Sequence, residues 1–178
     1  MFSDGTCFDN PRAYGRELER FRRLHSEYSL NRGTPREGRA KAKLLHKYDR
    51  VKNLRNELRN EIVNAAVYDR ELVAVEDLSL ARMRKKARGR GMLRSYADAS
   101  LSGLLTALHQ KSLKTRCRVV AVDPAYTSQT CSECGRIVEK DLGVRIHVCP
   151  FCGYAADRDY NAARNILARG LAGNPSPA

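Results

Sequence analysis

Two Cys-x-x-Cys pairs, Cys131/Cys134 and Cys149/Cys152, stand fourteen residues apart in "CSECGRIVEKDLGVRIHVCPFCG". No other feature restricts the chain so strongly. Four thiolates presented by two tight turns can close a tetrahedron around zinc, with short strands between the pairs. Gly135 and Gly153 directly follow the second cysteine of each pair. A residue without Cβ lets the backbone turn sharply there. Cys7 and Cys117 stand alone, so the six cysteines do not form a disulfide framework. Structural zinc is the expected occupant, with iron or a redox pair as the alternatives. His147 lies inside the motif, but four sulfurs already fill the site, and it reads as a strand residue. A closed site leaves no open coordination position, so it should shape a small lobe and not catalyse.

Charge narrows the partners. The 178 residues carry a net charge of +13 and a pI of about 9.8, and four thiolates around one divalent ion lower that by only two. Such a field favours polyanions, of which nucleic acid is the commonest; the plainer alternative is a basic surface that keeps the chain in solution. Apolar residues make up 42%, enough for one compact domain with a small appendage. No run is long and apolar enough to span a bilayer, and the N-terminus has no basic-then-apolar leader. The expected location is the cytoplasm, with no membrane partner.

Along the chain, "MFSDGTCFDNPR" reads as a short hairpin turning at Asp4-Gly5. A helix over about 14–28 and a longer one over about 36–69 flank the loop "SLNRGTPREG" and should pair antiparallel. Leu44, Tyr48, Val51, Leu54, Leu58 and Ile62 give the second helix one apolar face. Its basic outer surface serves either as solvated scaffold or as a phosphate contact. "ELVAVEDLSL" supplies a buried strand, Leu72 to Asp77. Arg82, Arg84, Lys85, Lys86, Arg88, Arg90 and Arg94 then crowd a stretch with two glycines and no apolar period. This stretch reads as a mobile loop, either a solvated linker or a nucleic-acid-binding segment gripping phosphate. A helix capped by Ser95 follows, with Leu101, Leu104, Leu105 and Leu108 on its apolar face. A second buried strand, "CRVVAVDP", precedes the cysteines. "DRDYNAARNILARGL" is the last helix, and "AGNPSPA" a disordered tail. Strands alternating with helices imply an α/β layer structure with some parallel pairing.

The first strand ends in two carboxylates, Glu76 and Asp77, and the last helix opens with Asp157 and Asp159. Acids from separate elements converging at one sheet edge can hold magnesium, which neutralises a phosphodiester and activates water. Singly, each has a plainer explanation: Glu76 marks a strand end, and Asp157 or Asp159 caps a helix. Composition and spacing leave the two readings balanced.

"VAVEDLSL", "VVAVDPAYTSQTCSECG" and "CPFCGYAADRDYNAARNIL" closely resemble the C-terminal half of OrfB/TnpB-type proteins, transposase-associated proteins of insertion sequences and relatives of the type V CRISPR effectors. The opening "FSDG" fits the same layout, so the resemblance covers nearly the whole chain. It implies a partial ribonuclease H-like (RuvC) domain, α/β in class, with a helical hairpin insertion (about 14–69) and a four-cysteine zinc ribbon. The core would comprise 1–127 and 155–172, the ribbon 128–154, and the tail 173–178. The resemblance also implies DNA and guide RNA as partners and cleavage by an Asp, Glu, Asp triad with magnesium. By position Glu76 is the family's glutamate. Asp159 is its last aspartate, two residues before Asn161, while the role of Asp157 stays open.

The family's first aspartate lies on a strand ahead of the "SDG" turn, whereas this sequence starts at Met1-Phe2-Ser3-Asp4. The expectation is an N-terminally shortened endonuclease, inactive alone, from a decayed gene or a start placed too far downstream. A non-catalytic zinc-ribbon protein that binds nucleic acid is the alternative, and a plain zinc-stabilised interaction protein is a third.

Overall fold

The computed structural model describes residues 1–10, 12–85, 87, 89–141 and 143–173. Its elements are α1 (Ala13–Arg16), α2 (Leu18–Leu30), α3 (Glu37–Val67), β1 (Leu72–Glu76), α4 (Leu80–Lys85), α5 (Arg90–Ala99), α6 (Leu101–Ser112), β2 (Arg118–Val122), β3 (Ile146–Val148), β4 (Ala155–Asp157) and α7 (Arg158–Leu171). They fall into two compact units. One comprises Met1–Asp9, Ala66–Ser79 and Leu108–Ala178, the other Asn10–Ala65 and Leu80–Ala107.

The second unit holds the expected helical hairpin. Lys43 Nζ meets Glu27 Oε1 at 2.6 Å, and Lys47 Nζ meets Glu17 Oε2 at 2.6 Å. Residue numbers rise on one helix as they fall on the other, so α2 and α3 are antiparallel. Ala13, Phe21, Leu44 and Val51 form the core between them, edged by Tyr14, Leu24 and Tyr28. The apolar face assigned to α3 needs correction. Leu44 and Val51 are buried, but Tyr48 and Leu54 are about 40% exposed, and Ala40, Lys47 and Val63 are buried instead. The cause is length: at 1.5 Å per residue, α3 with 31 residues spans roughly 46 Å, whereas α2 with 13 covers roughly 20 Å. No single stripe of α3 keeps one partner throughout.

The basic stretch is helical up to Lys85 and again from Arg90, and this overturns the expectation of a loop over most of its length. α4 and α5 take up Arg82, Arg84, Lys85, Arg90 and Arg94; Lys86 and Arg88 lie outside the described residues. Arg, Lys, Met, Leu and Ala are all good helix formers, and that preference outweighs the two glycines. Gly89, at φ 108°, is the residue before α5. Ser95 sits inside α5 and caps nothing; the break before α6 falls at Ser100, whose φ is 47° and ψ 40°. At the N-terminus the Asp4-Gly5 turn is present, with Phe2 N–H donating to the Thr6 carbonyl at 2.8 Å. No strand flanks it among the described residues. Of the expected tail, residues 174–178 lie outside the described residues.

The first unit carries the sheet. β1 and β2 pair in parallel, Leu72 opposite Arg118 through Glu76 opposite Val122. Both strands are rich in valine, which suits a pleated, partly covered surface. β1 is half-buried along its length, and Val122 is fully buried. α7 packs on these strands and approaches β1 very closely. A Cβ built on Gly170 would lie 2.6 Å from Ala74 Cβ. Glycine is required there for proximity, not for an unusual backbone.

That contact yields a test. Gly170→Ala gains up to about 1 kcal/mol of helix propensity and loses about 1–3 kcal/mol to overpacking. The melting temperature should fall, and Ala74→Gly in the same background should recover most of the loss. Purely additive effects in thermal melts of the four variants would refute direct contact.

Candidate functional site

The two cysteine pairs build the same turn twice. Gly135 N–H donates to the Cys131 carbonyl at 2.9 Å, and Gly153 N–H to the Cys149 carbonyl at 3.0 Å. Both glycines sit at φ near 75°, in the left-handed region that favours glycine. The antiparallel pair β3–β4 and a bridge between Thr130 and Ile137 frame the turns. The result brings all four Sγ atoms within 4.8 Å of one another. Cys131 Sγ is 3.7 Å from Cys152 Sγ, and Cys134 Sγ is 3.6 Å from Cys149 Sγ. A tetrahedron with metal–sulfur bonds near 2.3 Å has edges of about 3.8 Å. The cluster therefore fits a metal such as zinc.

Ionisation within the cluster is uneven. Burial opposes a charge on Cys149, but the N–H groups of Phe151 and Cys152 and the neighbouring thiols outweigh it and draw its pKa down to about 6. The N–H of Tyr154 favours the Cys152 thiolate; burial and the surrounding sulfurs prevail and push it up to about 12. Four sulfurs this close cannot all ionise without a cation between them. His147 lies in β3 as expected and is fully buried, with its Nδ1 against Lys140 Nζ. Burial first, then the Lys140 charge, lowers its pKa.

The acids lie in the same unit as this lobe. Glu76 ends β1, and the next N–H, that of Asp77, continues the ladder to the Val122 carbonyl at 2.9 Å. Asp157 is the N-cap of α7: its Oδ1 accepts from Asp159 N–H at 2.7 Å and Tyr160 N–H at 3.2 Å. Asp159 stands in the first turn with its carboxylate free of that task. Gly170 lies against Ala74, and Asn165, more than one turn nearer the N-terminus of α7, reaches the segment that touches Glu76. α7 thus runs antiparallel to β1, with its N-terminal end directed toward the edge where Glu76 stands. The described basic residues Arg82, Arg84, Lys85, Arg90 and Arg94 belong to the other unit, where Lys85 and Arg90 are exposed.

A polar stripe on α7 was not anticipated from the sequence. Asn161, Asn165 and Arg169 recur every four residues and grip the connection from β2 to the first cysteine. Asn161 Nδ2 donates to the Thr130 carbonyl at 2.8 Å, and its Oδ1 accepts from Ser132 N–H at 2.9 Å. Asn165 Nδ2 reaches the carbonyls of Thr127 and Thr130 at 2.9 and 2.7 Å. Arg169 Nη1 donates to the Asp123 carbonyl at 2.6 Å. Arg164 adds an ion pair to Glu133 at 2.5 Å. The spacing in "NAARNILAR" was the available signal, since two asparagines four apart on a buried helix face need partners.

The model of the Cas12f1-like TNB domain matches residues 102–166. InsQ of Escherichia coli K12, described as a candidate RNA-guided DNA endonuclease, is 30% identical over 96% of this chain and 46% of its own length. A Streptomyces pristinaespiralis protein of the same description is 30% identical over 96% of this chain and 42% of its own. The mimivirus TnpB-like protein L79 is 35% identical over 71% of this chain and 25% of its own. The chain thus spans less than half the length of these relatives. Among solved structures, Cas12f1 in complex with guide RNA and target DNA superposes with a TM-score of 0.51, at 20% identity, over 86% of this chain and 42% of that one. That similarity establishes a mixed helix–strand fold of the Cas12 kind. Together with the cysteine lobe and the matched family model, these relatives assign the chain to the TnpB-type transposase-associated proteins.

Proposed function

We propose that this chain is the metal-binding, DNA-contacting part of an RNA-guided endonuclease, with a RuvC-like core in which Glu76 and Asp159 hold magnesium and the four cysteines hold structural zinc. The observation that carries the reading is the direction of α7: packed antiparallel on β1, it turns the end bearing Asp159 toward the edge where β1 delivers Glu76. The donor set suits the ion, because carboxylate oxygens are hard ligands of the kind magnesium takes. Bound there, magnesium would neutralise phosphate charge and lower the pKa of an attacking water.

The protein's own groups have separate tasks. Glu76 and Asp159 supply the negative charge. Asp157 caps the helix and so leaves Asp159 uncommitted. Arg82, Arg84, Lys85, Lys86, Arg88, Arg90 and Arg94 hold nucleic-acid phosphates, with DNA and guide RNA as the proposed partners. The core is expected over 1–127 and 155–172, with the ribbon over 128–154 between them. No helix among the described residues is long and apolar enough to cross a membrane.

Three measurements test this. Mn2+ binding followed by electron paramagnetic resonance should weaken about 10-fold or more in Glu76→Gln and in Asp159→Asn. Asp157→Asn, which keeps a good helix cap, should stay within about threefold; unchanged affinity in both of the first two variants would remove the carboxylate site. Elemental analysis should find zinc bound to the native chain. A strong chelator or Cys149→Ser should remove it and open residues 130–157 to proteolysis, because binding energy at such a site is folding energy. Duplex DNA affinity should drop roughly 10³-fold between about 50 and about 200 mM salt if some six phosphates are contacted. Binding that ignores salt would contradict the phosphate role.

A further inference from the structure

We infer that Thr127 is a positioning residue for Glu76: its hydroxyl fixes one carboxylate oxygen and thereby presents the other to the metal. The inference rests on the carboxylate site proposed above and adds to it a group outside the acids themselves.

Thr127 is 3% exposed, and its Oγ1 lies 2.5 Å from Glu76 Oε1. The same oxygen lies 3.1 Å from the Pro124 carbonyl. A hydroxyl has one proton and cannot donate it fully to both. The shorter, charge-assisted contact takes it, so Thr127 donates to the carboxylate. Oε1 is thereby turned toward the protein. Among the described residues Oε2 has no hydrogen-bond partner, so it is the oxygen left to a ligand.

The segment that delivers Thr127 is itself held in place. Asp123 Oδ1 accepts from Ala125 N–H at 2.9 Å, and the N–H groups of Gln129 and Thr130 both reach the Tyr126 carbonyl, at 3.0 and 2.8 Å. Tyr126, immediately before Thr127, adopts φ 60°. A non-glycine residue in that left-handed region is costly and persists only where the surroundings impose it. The turn bonds around it hold it there, and Asn165 Nδ2 adds a bond to the Thr127 carbonyl at 2.9 Å. Thr127 is therefore clamped through its backbone by the helix that carries Asp159, while its side chain clamps Glu76. A hydrogen-bonding group that orients a metal-ligating side chain in this way commonly contributes 10- to 100-fold in metal affinity.

The test uses the full zinc-loaded chain with Mn2+ as probe, comparing Thr127→Val, Thr127→Ser, Glu76→Gln and Asp159→Asn. Valine keeps the shape and loses the hydroxyl; serine keeps the hydroxyl. Thr127→Val should weaken Mn2+ by about 10- to 100-fold while retaining zinc, and Thr127→Ser should return to within about threefold of the native value. Adding Thr127→Val to Glu76→Gln should cost little more, because the hydroxyl acts only through Glu76. Should Thr127→Val fail to retain zinc, the native chain decides. Its Thr127 methyl resonance must then shift on Mg2+ addition with the midpoint of the Glu76 side chain, and must stay still in Glu76→Gln.

Native-like Mn2+ affinity in Thr127→Val alongside weakened Glu76→Gln would overturn the positioning role and leave the carboxylate site standing. A serine variant as impaired as valine, or an unmoved methyl resonance, would do the same. Native affinity in both acid variants would overturn the site and the positioning role together.

Discussion

Two buried carboxamides hold the first unit together. Asn161 is fully buried and Asn165 nearly so. Burying an amide without partners costs about 1–3 kcal/mol, so α7 can lie where it does only if the chain from Thr127 to Ser132 lies beside it. Each asparagine side chain finds backbone partners in that segment. One helix face thus fixes the exit from β2, the entry to the cysteine lobe and the residue touching Glu76. The close approach of Gly170 to Ala74 sets the other end of the same helix on the sheet. With both ends pinned, the position of Asp159 follows from packing and from its own turn.

The cysteine lobe depends on this arrangement, because its described residues give it little apolar interior. Ile137, Val144, Ile146, Val148 and Phe151 are all at least 39% exposed. Among the described residues of the lobe the buried ones are Cys131, Cys149 and His147. Hydrophobic burial gives so short a segment little stability, and a metal held by the four sulfurs would supply the energy that a core otherwise does. The pressure toward a cation is also electrostatic. Bringing four sulfurs within 4.8 Å splits their ionisation, and a divalent ion would relieve that conflict.

Much of this was legible in the sequence wherever a local rule governs structure. Valine-rich runs gave β1 and β2, with their parallel pairing as expected for strands separated by helices. Cysteine spacing gave the sulfur cluster, and the polar start of "DRDYNAARNIL" gave α7. Local rules failed where two of them compete. Arg82–Arg94 combines helix-forming side chains with glycine punctuation, and the helix-forming preference prevails on both sides of Gly89. Ser95 has the chemistry of a cap, but a cap requires a chain that is not already helical. Thr127, Asn161 and Asn165 were missed for a different reason. Their importance lies in partners 51, 31 and 38 residues away, and no window along the chain contains both members of such a pair.

The two aspartates that open α7 show how neighbouring acids acquire different duties. A helix N-terminus carries roughly half a positive charge, which attracts carboxylates and repels cations. A cation held by Asp159 alone would sit against that charge. Asp157 changes the balance by placing its carboxylate on the N–H groups of Asp159 and Tyr160, where the positive end is concentrated. With the terminus neutralised, the charge of Asp159 would be available to a cation in the proposed site, as would that of Glu76 from the strand. The cap is therefore more than a start signal for the helix. In the proposed site its charge would ease the holding of a cation at this end of α7 by about 0.3–1 kcal/mol, a small effect beside the loss of a ligand.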